Sequence, residues 1–198
     1  RFNFSEVSSN VNEVELSFKL HCCSKLKDFV FKYEDLLGKE IWDVLDEEIQ
    51  QDPGAFLSAI NSYASRKGNL PIYLLIDEYD NFTNTILSTY GTEYYQKATH
   101  GEGFVRGFFN VIKAATTGTG SALQRMFITG VSPVTMDDVT SGFNIGTNIT
   151  TDPWFNDLVG FSEAELREML TYYKEQGVLM QTVDETIVMM KPNYDNYC

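Results

Sequence analysis

Apolar positions recur along this chain with two periods, and the switches between them outline its elements. Phe2 and Phe4 alternate with polar neighbours, which predicts a short strand over residues 1–7. Val11, Val14, Phe18, Cys22, Leu26, Phe29, Tyr33 and Leu37 then follow at spacings of three and four, one apolar stripe along a long helix. Asp52 and Pro53 suit the N-cap and first position of a second helix. Its inward face is Phe56, Leu57, Ile60, Tyr63 and Ala64, and Gly68 offers a left-handed stop. From Pro71 to Asp77 the chain is apolar at both parities, as in a parallel-sheet strand covered on both sides.

Phe104, Phe108, Val111, Ile112 and Ala115 restore the helical period over 103–116, and Thr117-Gly-Thr-Gly120 breaks it. Met126 to Val131 reads as the next buried strand. A polar stretch then runs from Ser132 to Asp152, and loops of that length in a compact domain are usually functional or mobile. Leu158 to Phe161 predicts a last short strand. Ser162 with Glu165 forms a capping box before a helix carrying Leu166, Met169, Leu170 and Tyr173, which Gly177 closes. Thr182 with Glu185 repeats the box, and Pro192 is expected to end that helix. The alternation of strands and helices predicts an α/β fold with a mostly parallel sheet over 1–161, followed by a helical segment over 162–198.

Composition narrows the function classes. The 198 residues suffice for one domain with a substantial core, and 43% apolar with 22% charged is ordinary for a globular protein. No stretch approaches the roughly 20 apolar residues that span a bilayer, and no signal-peptide pattern opens the chain, so no membrane partner is expected. A formal charge of −13 argues against a broad face for nucleic-acid phosphates, so direct nucleic-acid binding is not expected. The acids between Glu34 and Asp52 read as a solvated helix face. Cys22 lies on the apolar stripe and reads as a small buried hydrophobe. Adjacent Cys22 and Cys23, with Cys198 far away, make no disulfide framework, and His21 and His100 complete no zinc spacing. A reducing, cytoplasmic setting is expected. Arg1 starts inside a strand and Cys198 stops inside a polar-aromatic run, so both ends read as cut from something longer.

The sharpest chemistry is Leu74-Leu-Ile-Asp-Glu-Tyr-Asp80, an apolar strand ending in acids. Ligands of open α/β sheets bind outside the carboxyl ends of the strands, which is where Asp77 and Glu78 fall. An unpaired carboxylate in a dry site costs several kcal/mol, about what a bound cation offsets. Mg²⁺ suits such a site because it keeps most of its waters and takes one or two protein oxygens plus phosphate oxygens. Asp77 is therefore the candidate metal ligand, through water, and Glu78 the candidate catalytic residue that orients or deprotonates an attacking water. The competing reading is an acidic strand end that caps the next helix. Asp80 itself reads first as the cap of a helix starting near Thr83, and second as an acid that supports the pair from behind.

Leu75-Ile-Asp-Glu-Tyr-Asp80 resembles the signature of a predicted AAA-type ATPase family common in bacteria. Phe127-Ile-Thr-Gly-Val-Ser132 is similar to that family's next strand, and Ser141-Gly-Phe-Asn144 with Asn148-Ile-Thr150 to its downstream loop. Leu158-Val-Gly-Phe-Ser-Glu-Ala-Glu165 and, more loosely, Met190-Lys-Pro-Asn-Tyr-Asp-Asn-Tyr197 continue the likeness, so it covers about residues 70–198. The resemblance implies a partial P-loop NTPase core of AAA or RecA type, ATP with Mg²⁺ as cofactors, and in the parent protein a nuclease-like domain of PD-(D/E)XK type. It also implies a polar residue that senses the terminal phosphate beyond the second strand. Ser132 is the first candidate for that nucleotide-binding role and Thr129 the second. Arg106 and Arg125 are read as exposed structural residues before fingers in a possible oligomer.

One expected element is missing: nowhere does Gly-x-x-x-x-Gly-Lys precede Ser or Thr. Gly118, Gly120 and Ser121 come nearest, with no Lys following. The segment alone is therefore expected to be inactive, an incomplete piece of an ATPase core. A non-catalytic interaction module with a degenerate site is the alternative. A metal-dependent nuclease built on Asp77 and Glu78 is weaker, since no Glu-x-Lys follows Asp80.

Overall fold

The structure, a computed structural model, describes residues 1–68, 70–118, 120–131, 146–155, 158 and 160–194. The chain divides into two compact units, Arg1–Gly146 and Thr147–Cys198.

The first unit is built on a parallel sheet in the order β1 (Phe2–Asn3), β2 (Ile72–Asp77), β3 (Leu123–Ile128). β1 is shorter than the alternation of Phe2 and Phe4 predicts. Asn3 accepts the Ser5 N–H through its side chain and turns the chain into a 3-10 turn, Phe4–Glu6, which sends Phe4 into the core. The helices of this unit are α1 (Val14–Lys32), α2 (Glu34–Leu37), α3 (Pro53–Gly68), α4 (Asn81–Tyr90), α5 (Thr92–Thr99) and α6 (Phe104–Thr117).

The predicted stripe holds along α1 through Val14, Phe18, Cys22 and Leu26, but then shifts: Val30 is buried where Phe29 was expected, the helix ends at Lys32, and Tyr33 beyond it is exposed. The predicted N-cap holds too: Asp52 Oδ1 accepts the Ala55 N–H at 2.6 Å. Phe18 is the hub of the packing, with ring centroids 5.2 Å from Phe4, 5.8 Å from Phe82, 5.2 Å from Phe104 and 5.5 Å from Phe108. These rings tie the Phe4–Glu6 turn, α1, α4 and α6 into one cluster with Leu74 and Ile76 of β2. Each fully buried Phe contributes about 1.5–3 kcal/mol of apolar transfer.

β2 is not covered on both sides. Leu74 and Ile76 are buried, whereas Tyr73, at 62% exposure, and Leu75 are open to solvent. The register pairs Tyr73 with Arg125 and Leu75 with Phe127, so these four share one face, and Phe127 is exposed as well. The core cluster collects on the opposite face, the side of Leu74 and Ile76. β3 also begins three residues earlier than its apolar run suggests, because Gln124 and Arg125 are strand residues with exposed side chains.

The second unit carries a 3-10 turn, Pro153–Phe155, and two helices, α7 (Glu163–Glu175) and α8 (Val183–Tyr194). Both capping boxes form as the sequence predicts. Arg167 bridges Glu163 and Asp184, linking the first turns of the two helices. Pro192 lies inside α8 rather than ending it. Leu158 and Phe161 are exposed and no strand forms at the described positions around them. Trp154 is 93% exposed, and Met169, Met180 and Met189 are exposed too. The hairpin is small: Leu170 and Ile187 are its buried apolar residues among those described, so it cannot enclose the rest. No described helix is long and apolar enough to cross a membrane.

Candidate functional site

The apolar run of β2 ends at Asp77, and the strand pleat brings its side chain out on the same face as Tyr73 and Leu75. The register places Asn3 of β1 beside it. The side chain is 34% exposed, neither solvated freely nor sealed. Thr129, one residue past β3, donates its hydroxyl to Oδ1 at 2.5 Å, and the Arg1 guanidinium pairs with Oδ2. Thr129 first, and Arg1 second, hold the Asp77 carboxyl below its ordinary range.

Glu78 follows with φ of 55°, left-handed backbone in a residue that carries a Cβ. That conformation costs about 1–2 kcal/mol, and such strain concentrates where a site needs a particular side-chain direction. The residue is half-buried. Among the described residues, no hydrogen bond or ion pair engages its carboxylate. The strained turn carries the chain from β2 into Tyr79 and Asp80 and on to α4.

β3 reaches this turn by extending its pairing past the last strand residue. The Thr129 N–H donates to the Ile76 carbonyl at 2.9 Å, and the Tyr79 N–H to the Thr129 carbonyl at 3.1 Å. Thr129 is thereby fixed by backbone bonds on both sides while its hydroxyl rests on Asp77. Ser132, the first candidate for sensing a terminal phosphate, lies outside the described residues.

Asp80 departs from expectation. It occupies the position before α4, yet its side chain caps no N–H of that helix. The residue is 0% exposed, and its two carboxylate oxygens accept the Val131 N–H, each at 3.1 Å, while Asn84 donates to Oδ2 at 2.8 Å. The spacing before a helix points to a cap, and nothing at Asp80 itself signals the turn toward β3. One signal was legible: Gly130 at a strand end marks a close backbone approach. A Cβ there would lie 2.3 Å from the Tyr79 ring and 2.5 Å from Asp80 Oδ1.

Among the described residues no three His, Cys, Asp or Glu side chains gather as a metal cage. The donor set at Asp77 still fits Mg²⁺, which needs one or two carboxylates when phosphate oxygens supply the rest. One Asp77 oxygen already faces a cationic group, Arg1. Arg125 shares the Asp77 face of the sheet, but its partner Tyr73 lies four residues before Asp77, about 13 Å along the strand. Arg106 belongs to α6. The structure thus brings together Asp77, Glu78, Thr129 and Asp80, and does not bring Arg125 to them.

Of the comparisons with known proteins, a family model described as a predicted AAA-ATPase matches residues 1–140. No curated protein and no solved structure matches the chain.

Proposed function

Because the chain belongs to the predicted AAA-ATPase family, we propose that it forms part of an ATP-hydrolysing core whose acidic strand end works at the nucleotide phosphates. The observation that carries this reading is the end of β2. There Asp77 is half-open, fixed by Thr129 and matched to a cation, and the next residue, Glu78, is held in a strained left-handed turn.

The roles divide by geometry. Thr129 occupies Oδ1 of Asp77 and leaves Oδ2 as the cation face, so Asp77 is the ligand for Mg²⁺, through water. When bound with ATP, Mg²⁺ supplies neutralising charge at the phosphate oxygens. Arg1 now pairs with Oδ2 and would have to release it for Asp77 to hold the metal there. Glu78 orients the attacking water and accepts its proton, which requires a carboxylate without a competing partner. Ser132 or Thr129 contacts the terminal phosphate. The triphosphate itself is held by a glycine-rich loop not among the 198 residues, and the segment alone is inactive.

A second reading, an interaction module with a degenerate nucleotide site, is favoured by the exposed Tyr73, Leu75 and Phe127 on the Asp77 face of the sheet. Titration calorimetry of ATP into the protein at its full natural length separates the two. The ATPase reading expects binding that strengthens with Mg²⁺, and an Asp77→Asn variant in which that gain falls about tenfold or more. No heat of binding from ATP, with or without Mg²⁺, contradicts it and leaves the interaction module.

A further inference from the structure

Asp80 is a buried carboxylate that the roles above do not use. Uncompensated, such a group costs several kcal/mol, so the partners it takes define what it is for. The nearest unsatisfied donors at a helix start are the first N–H groups of its own helix. Asp80 sits in position to accept them and does not. It turns instead to β3, where the Val131 N–H is shared between its two oxygens, and Asn84 from the next helical turn braces Oδ2.

A second observation points the same way. Gly130 packs so tightly on Tyr79 and Asp80 that a single added carbon would collide with both. The segment Thr129–Val131 is therefore clamped along its length. Thr129 is paired with Ile76 and Tyr79, Gly130 is pressed on the Tyr79 ring, and Val131 is held by Asp80. The one side-chain bond from this segment to the acid pair is that of Thr129 to Asp77.

We propose that Asp80 is a positioning residue for the acid pair: by clamping Val131 it fixes Thr129 where its hydroxyl orients the Asp77 carboxylate. The role rests on the functional reading above for its effect on turnover, but not for the clamp itself. In this role Asp80 acts on the acid pair through Thr129, not directly on nucleotide or metal. It sets the aim of a residue that does, and a misplacement of about 1 Å in such a residue is worth up to about a hundredfold in rate.

The test uses the protein at its full natural length, with hydrogen exchange read peptide by peptide and ATP turnover measured in parallel. In Asp80→Asn the amides of Tyr79, Thr129 and Val131 exchange at least about tenfold faster, while those of Leu74 to Ile76 keep their rates. A merely structural role would raise exchange throughout β2 and β3. In the same variant kcat falls about tenfold with KM for ATP within about twofold. The double variant Asp80→Asn with Asn84→Asp restores an amide and a carboxylate to the same pair and recovers most of the protection and of kcat. Gly130→Ala reaches the clamp from the other side and carries the test if Asp80→Asn does not fold. Unchanged exchange at Val131, or altered exchange with unchanged kcat, overturns the proposal. A wild-type protein that hydrolyses no ATP overturns the functional reading instead, and the exchange data then decide the clamp alone.

Discussion

Thr129 donates its hydroxyl to Oδ1 of Asp77 across the junction of β2 and β3, at 2.5 Å. This bond is the largest cause of the lowered Asp77 pKa, ahead of the Arg1 ion pair. Thr129→Val removes it with little change in volume, and the Asp77 pKa should rise toward its ordinary value. The sign for stability follows. A depressed carboxyl contributes stability that is present above its unfolded pKa and lost as pH falls through the folded one. The wild-type chain should therefore lose this contribution only below the ordinary carboxylate range, and the variant should lack it. Carbon-13 titration of the Asp77 carboxyl checks the shift, and an unmoved pKa would remove Thr129 from its cause.

Glu78 holds φ of 55° with a side chain in place. Glu78→Gly relieves that strain, so its unfolding free energy from urea titration should match or exceed the wild type, by up to about 1 kcal/mol. Turnover is lost with the carboxylate. A variant clearly less stable than wild type would show that the side chain holds the turn rather than being strained by it.

His21 is buried beside the rings of Phe2 and Phe4, its side chain 7% exposed and its Nε2 without a hydrogen-bond partner among the described residues. Its Nδ1 lies 3.5 Å from a carboxylate oxygen of Glu6, which also pairs with Lys25. Burial, outweighing Glu6, pushes the His21 pKa down from its ordinary value. The unfolded chain then takes up the proton first, so stability should fall as pH drops through the ordinary histidine range, about 7 to 5. Urea midpoints across that interval test it. His21→Leu should flatten the slope, and a slope that survives the substitution assigns it to another group.

Much of this architecture was legible in the residue pattern, and the misses have physical causes. The stripe from Val14 to Leu26 and the Asp52 cap emerge because helix periodicity and capping are local. α5 went unseen because Thr92–Thr99 is short and polar, and its buried Tyr95 and Ala98 gain their meaning from packing with α4 and α6. The open face of β2 was unreadable for a related reason: Tyr73 and Leu75 are as apolar as buried strand residues, and periodicity does not say what covers them.

At the site, the acids announce themselves by ending an apolar run. Thr129 is one of several hydroxyls near the end of β3, and only the β2–β3 register brings it to Asp77. Asp80 misled because a residue before a helix is ordinarily a cap, whereas its commitment to Val131 joins positions 51 residues apart.

The most direct measurement is steady-state ATP hydrolysis with Mg²⁺ by the full-length protein carrying Glu78→Gln. The amide keeps the size and the turn but cannot accept the proton of an attacking water. The account predicts a fall in kcat of about a hundredfold or more, with ATP affinity within about threefold of wild type. Turnover at the wild-type rate would contradict it and take Glu78 out of the chemistry.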